Sequence, residues 1–255
     1  MSDIIINEYS KKDIKDAMVI VSFPTVGLVS SIAANFIVLN LKLELIGSIM
    51  SDDFYPAAII QNGIPTPPVR IFAGEHECGP DGECDQIVVI ISELPIKTNS
   101  FSALADKIID WCQEKECKLI TTLEGVHSQD PTGDNIQVFH VGSNKKVEEI
   151  TKDLPSQPFE LGMVSGLSGI LLYKGNIEDY KVVCFLAEAH SEYPDSRSAA
   201  EMLKVMDKMV PQIKMDPKPL LEEAEKIEEK VKASMAQIKP FSPAELPDTP
   251  PGMYG

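Results

Sequence analysis

Between Ala17 and Phe23 the chain runs Ala-Met-Val-Ile-Val-Ser-Phe and then breaks at Pro24-Thr25-Val26-Gly27. A run of strand length that is apolar without alternation must be covered on both faces, as in a sheet enclosed between layers of helix. The residues past the break agree. Val26–Leu39 is apolar and rich in small residues, the composition of a helix packed closely on such a sheet.

The alternation continues along the chain. Leu43–Met50, Ala57–Gln61 and Val69–Ala73 read as strands. Asn62-Gly63 is a turn signal between the last two, and Pro65, Pro67 and Pro68 keep that connection extended. Gln86–Ser92 is another buried strand. Thr98, Asn99 or Ser100 is placed to cap the next helix, which runs to about Glu116. Lys118–Thr122 and Gln137–Val141 read as strands, Ser165–Tyr173 as a Gly-rich packed helix and Tyr180–Ala187 as a strand. A helix over Asp195–Val210 is introduced by Pro194 and closed by Pro211. The fold class expected is α/β: a mostly parallel or mixed sheet covered by helices on both faces, with an antiparallel edge contributed by the strand-rich stretch Leu45–Ser92.

With 255 residues the chain is long enough for one large domain of this kind. Residues 1–211 form the α/β domain in this reading, and Asp216-Pro-Lys-Pro is a hinge beyond it. Residues 216–239 form a charged amphipathic helix. Leu220, Ala224, Ile227, Val231, Met235 and Ile238 make a narrow apolar seam on it, suited to docking on its own domain or on a second copy. Residues 240–255 hold Pro240, Pro243, Pro247, Pro250 and Pro251, so neither helix nor central strand suits them. An extended tail reaching roughly 3 Å per residue is expected, ending in Gly252-Met253-Tyr254-Gly255. An apolar residue and an aromatic at the tip of a polar spacer are candidate anchors for a partner.

Charge narrows the partners. Lys and Arg number 23 against 39 Asp and Glu, a net charge of −16, and no basic cluster exceeds two adjacent lysines. Nucleic acid and anionic lipid both demand a cationic footprint, so neither is expected. No apolar run approaches the about 18 residues of a membrane helix, and Met1–Glu8 has no basic region ahead of an apolar run. The expectation is a cytoplasmic protein with neither membrane span nor secretory leader.

The five cysteines, Cys78, Cys84, Cys112, Cys117 and Cys184, fit no disulfide-framework spacing and read as free thiols. His76, Cys78 and Cys84 lack a fourth ligand at suitable spacing, so no metal is expected and a polar hairpin loop is the simpler reading.

Catalytic chemistry would belong beyond the carboxyl ends of the strands. Glu93 follows one strand, Glu124, His127 and Asp130 follow a second, and Glu188, His190 and Glu192 follow a third. Histidines beside carboxylates suit general acid–base work or a divalent metal, which makes a small-molecule enzyme one alternative. The plain alternative is loop polarity and helix caps. Neither His127 nor His190 has a ligand-spaced partner on a helix, and no nucleophile elbow, phosphate loop or dinucleotide fingerprint is present. Pro24-Thr-Val-Gly27 is the kind of turn where phosphates bind, but it has one Gly and no following Lys. The reading is a non-enzyme with no catalytic, metal or cofactor-binding residues.

Phe23-Pro-Thr-Val-Gly-Leu-Val-Ser-Ser-Ile-Ala-Ala-Asn-Phe-Ile-Val38 resembles the first βα unit of the archaeal-type proteasome assembly chaperone family. Ile46-Gly47, Pro56, Gly63, Pro67-Pro68 and Val69–Ala73 resemble its second segment. Gly162-Met-Val-Ser-Gly-Leu-Ser-Gly-Ile-Leu-Leu172 resembles its Gly-rich helix start, and Glu188, Pro194-Asp195 and Ala199-Ala200 its closing loop and helix. The resemblance spans about residues 17–210 and implies an ATP-independent assembly factor, self-associating and acting on proteasome α subunits. Met253-Tyr254-Gly255 is similar to the hydrophobic–Tyr–any-residue ending of proteasome activators and some assembly chaperones. The implied action places the Met253 and Tyr254 side chains in an intersubunit pocket, with the terminal carboxylate of Gly255 on a Lys. A proteasome activator or adaptor using the same tail is the other alternative.

Overall fold

The computed structural model describes residues 3–61, 63–78, 84–127, 136–191 and 194–210, together with Glu222 and Lys226. The elements in chain order are β1 (Ile5–Glu8), β2 (Met18–Ser22), α1 (Val29–Asn40), β3 (Glu44–Met50), β4 (Ile59–Gln61), β5 (Ile64–Thr66), β6 (Val69–Cys78) and β7 (Cys84–Ser92). After these come α2 (Phe101–Glu114), β8 (Leu119–His127), β9 (Val138–Gly142), α3 (Lys145–Thr151), β10 (Gln157–Pro158), α4 (Gly166–Ile177), β11 (Val182–Ala189) and α5 (Ser196–Met209).

Nine strands form one sheet in the order β1-β3-β6-β7-β2-β8-β11-β9-β10 among the described residues. Its centre, β7-β2-β8-β11, is parallel. Antiparallel pairing flanks that centre on both sides, through β6 against β7 and through β9 against β11. The expected α/β class holds, with more antiparallel pairing than a single edge.

Residues of one central strand go alternately to two apolar layers, because successive side chains leave a strand on opposite faces. Met18, Ile20, Ile87, Val89 and Phe185 meet α1 and α5 on one face. Val19, Val21, Val88, Ile90 and Leu186 meet α2 and α4 on the other. All five residues of β2 are buried, as a strand covered on both faces requires.

Several local expectations change. The helix expected over Val26–Leu39 begins as a 3-10 turn, Val26–Leu28, with Gly27 and Leu28 both at positive φ, and only then enters α1. Neither the N-cap of the 3-10 turn Thr98–Ser100 nor Ser100 at the start of α2 makes a side-chain cap bond. The segment after Asn62-Gly63 is not a plain extended connection: β5 turns back and pairs with β4 as a small antiparallel hairpin. The expected loop around His76 is largely strand, with β6 running to Cys78 and the Cys78 backbone paired to Cys84 at the start of β7. The His76 ring Nε2 contacts Leu41 O at 3.0 Å, and among the described residues no cluster of three or more potential metal ligands forms.

The end of α2 shows why Cys112 and Cys117 sit together. Glu116 takes a left-handed conformation, Glu116 N donates to Gln113 O at 3.1 Å and Cys117 N to Cys112 O at 2.8 Å. That is a Schellman termination, which brings the side chain of the last helical turn against the residue past the cap. Both thiols are free and buried, and burial first, then the neighbouring Cys117, pushes the Cys112 thiol upward in pKa. Of the expected helix at 216–239 only Glu222 and Lys226 are described, both helical; its seam and the tail at 240–255 lie outside the described residues. Among the described residues no helix is long and apolar enough to cross a membrane.

Candidate functional site

The carboxyl ends of β7, β2, β8 and β11 converge where the loop after β2 turns into α1. Thr25 anchors this turn: its Oγ1 accepts from Gly125 N of β8 at 3.1 Å and from Ser30 N of α1 at 3.4 Å. Gly27 comes next at φ +60°, and a Cβ there would stand 2.9 Å from His190 O and 3.0 Å from Asp195 Cβ. Gly27 O accepts from Asp195 N at 2.7 Å. A Cβ at Gly125 would collide with Val26 O. The turn that a phosphate would need is therefore pressed against β8 and the β11–α5 loop, and its space is taken by backbone.

The acids expected beyond the strand ends divide into two groups. Glu124 and Glu188 do not come after their strands; they lie inside β8 and β11, which extend to His127 and Ala189 because the two strands pair to that point. Glu124 is driven up to about 7 by burial, against a partial counterweight from its bond to the Ser168 hydroxyl. Ser168 sits in the first turn of α4 and donates to Glu124 Oε1 at 2.5 Å. Glu188 works as a clamp on β9: its Oε2 accepts from Gln137 N at 3.2 Å, and its own N donates to Gln137 O at 3.0 Å.

His127 is exposed at the end of β8, while Asp130 and Glu192 lie outside the described residues. His190 Nδ1 is 2.8 Å from Asp195 Oδ2, and His190 N donates to the same oxygen at 3.0 Å. Asp195 Oδ1 accepts from Ser198 N at 3.0 Å, which is the N-cap of α5. Burial works to raise the Asp195 carboxyl, but the N–H groups of Ser198 and His190 outweigh it and hold it below the usual range. Asp195 is thus committed to starting a helix.

Glu93, past the end of β7, is buried against the fully buried Arg70 of β6 as an ion pair. Asn35 of α1 donates to Glu93 Oε1 at 3.4 Å, and the Arg70 guanidinium lies 5.6 Å from the Phe72 ring centroid. Arg70 Nε and Nη1 and Glu93 Oε2 have no hydrogen-bond partner among the described residues. Arg70 is the one charged residue in Val69-Arg-Ile-Phe-Ala73, and that interruption is the signal in the sequence that marks the pair.

Two surface cavities lie elsewhere. One, of about 790 Å³, runs between the β1–β3 edge and the β4–β5 hairpin. The other, of about 400 Å³, lies between β9, the start of β10 and α5. Neither is lined by Glu124, His127, Glu188 or His190. The strand-end groups thus cap, clamp and pack, and among those described Glu124 alone combines burial with a strongly displaced pKa. The expected anchors Met253, Tyr254 and Gly255 lie outside the described residues.

Comparison with known proteins agrees with this architecture. A Methanocaldococcus jannaschii protein described only as uncharacterised is 32% identical over 227 residues, covering 88% of each chain. The crystal structure of Pyrococcus furiosus PbaA, described as an archaeal homolog of proteasome-assembly chaperone, superposes with a TM-score of 0.79 at 27% identity, over 92% of this chain and 97% of its own. P. furiosus PbaB, described as an archaeal proteasome activator, shares the fold at a TM-score of 0.72 and 20% identity, over 92% of this chain and 100% of its own. The PAC2 family profile matches residues 19–235, from β2 to beyond α5, and on that match the chain belongs to the PAC2 family.

Proposed function

We propose that the protein is a cytoplasmic, ATP-independent proteasome assembly chaperone. It binds α subunits of the core particle and docks its C-terminal Met253-Tyr254-Gly255 between two of them. The observation that carries this is the likeness to PbaA over nearly the whole of both chains, at 27% identity. The tail supplies the docking chemistry: a large ring with a polar tip, an apolar neighbour and a carboxylate that exists only at a chain end. Self-association would present several tails at once and raise weak single-tail binding.

The protein is read as a non-enzyme. What supports this is the use already made of the strand-end groups, with Asp195 capping α5, Glu188 clamping β9 and Thr25 fixing the turn. Glu124→Gln, His127→Ala and Glu188→Gln should leave binding to α subunits unchanged.

The experiment is a binding comparison on an α ring among wild type, Tyr254→Ala and a variant with two residues added after Gly255. Losing the ring should weaken each tail by about 30-fold or more if it is a hot spot. Burying the end of the chain inside an extension should cost a similar factor, because a partner Lys is left unpaired. Equal affinities across all three refute the docking role. The activator alternative keeps the tail but requires preference for the finished particle over free α subunits, and the same proteins measured on both targets separate the two.

A further inference from the structure

The last turn of α2 closes on two cysteines where a helix with this ending often closes on two apolar side chains. In a Schellman termination a residue of the final turn meets the residue just past the left-handed one. Here the two are Cys112 and Cys117, and the left-handed residue is Glu116 at φ +57°. Cys112 is 0% exposed and Cys117 5% exposed. A hydrogen bond joins the two thiols. Cys117 Sγ also donates to Ile14 O at 3.6 Å.

The backbone around the two thiols is fixed from several sides. Lys118 N donates to Ala17 O at 2.9 Å, Asp16 N to Glu116 O at 2.9 Å, and the Tyr180 hydroxyl to Cys117 O at 2.6 Å. The Cys117 N–Cys112 O bond ties the two residues directly. Such a bond keeps α-carbons on the order of 5–6 Å apart, inside the about 4.4–6.8 Å that a disulfide spans. An S–S bond can therefore form here with little movement of the backbone. Access needs only the end of α2 to open. Gln113, Glu114 and Glu116 around the cysteines are exposed, and a helix end opens locally at far less cost than the core. The opening that uncovers one thiol uncovers the other.

We infer that Cys112 and Cys117 form a reversible redox site, a dithiol that a small-molecule disulfide closes and excess thiol reopens. Cys117, the nearer to the surface, attacks one sulfur of the oxidant as its thiolate. A bond forms between Cys117 and that sulfur, the S–S bond of the oxidant breaks, and one small thiolate leaves. Cys112, as its thiolate, then attacks the Cys117 sulfur and expels the second small thiolate. Two electrons pass from the protein to the oxidant, and the two protons given up by the cysteines end on the two released thiols. Burial pushes the resting Cys112 thiol upward in pKa, so the exchange waits on the local opening and is slow. Once closed, the bridge ties the end of α2 to the residues that enter β8. The site stands independently of which partner the tail binds.

The test incubates the folded full chain with oxidised glutathione, alkylates the remaining thiols and digests the monomer band of a non-reducing gel with trypsin. Cleavage after Lys107, Lys115 and Lys118 puts the two cysteines on different peptides. A closed site therefore appears as residues 108–115 linked to residues 116–118, and excess dithiothreitol before digestion separates them. Hydrogen exchange of the Glu116 and Cys117 amides should slow by about tenfold or more in the oxidised protein, because the bridge opposes opening of this turn. Cys112→Ala should give neither the linked peptides nor the slowing. Absence of the linked peptides from folded protein, a link that forms only in urea, or exchange unchanged by oxidation overturns the inference.

Discussion

The hydroxyl of Ser168, in the first turn of α4, donates a 2.5 Å hydrogen bond to the carboxyl of Glu124 inside β8. That bond crosses from the sheet to the helix layer and ties the first turn of α4 to β8. It also sets a titration. Burial raises the Glu124 pKa to about 7, far above an unfolded carboxyl, and the Ser168 hydroxyl only partly offsets it.

The folded state therefore binds one more proton than the unfolded state between the two pKa values, and stability falls as pH rises through that window. Glu124 should be fully favourable below about pH 4 and should have lost its contribution above about pH 7. Glu124→Gln keeps the shape without the ionisation. Its melting temperature should match wild type near pH 4 and exceed it near pH 8, by a free energy of up to about 3 kcal/mol. Thermal melts at the two pH values check this, and parallel pH profiles for the two proteins would refute it.

Gly125 and Gly63 should respond very differently to alanine. A Cβ at Gly125 meets the backbone carbonyl of Val26, which cannot rotate away, whereas Gly63 at φ +78° has open space around it. Gly125→Ala should displace the turn before α1 and cost about 3 kcal/mol or more. Gly63→Ala should cost only the backbone strain of a left-handed residue, about 1 kcal/mol. Denaturant titrations of both variants give the comparison directly.

Arg70 and Glu93 should be worth more broken than replaced. Each is buried, and each would leave an uncompensated charge if the other were removed. Arg70→Met and Glu93→Leu singly should destabilise by about 3–5 kcal/mol, and Arg70→Met/Glu93→Leu by clearly less than the sum. A double-mutant cycle in urea measures the difference, and simple additivity would show that the pair is not coupled.

Removal of 240–255 should shift the melting temperature by no more than a few degrees. Its sizeable apolar residues are Phe241, Leu246, Met253 and Tyr254, too few to contribute much core. A larger drop, read by calorimetry, would mean that the segment packs on the body.

Local pattern was enough to place the elements whose burial is complete. The run Ala17–Phe23 announced β2, because a strand covered on both faces is apolar at successive positions, here Ala17 to Val21, with no alternation to blur it. The small-residue stretch after Gly27 announced α1, and Pro194-Asp195 the start of α5, where the carboxylate caps the helix. The order of motifs along residues 17–210 was enough to recognise the family.

Tertiary structure decided what depends on partners far away in sequence. β1 exists because Ile5–Glu8 finds β3, and Glu8 finds Trp111 and Lys115 on α2 and its C-terminal cap. β8 outruns its apolar stretch and carries Glu124 and His127 within it, because β11 offers backbone partners as far as Ala189. Arg70 reads as an interruption of a strand until Glu93 and Asn35 are seen beside it. Hydrophobic periodicity reports which side chains must leave water, a property each segment carries alone. Backbone pairing, ion pairing and the spacing of the two sheet edges are properties of two segments at once, so they come into being only when the chain closes on itself.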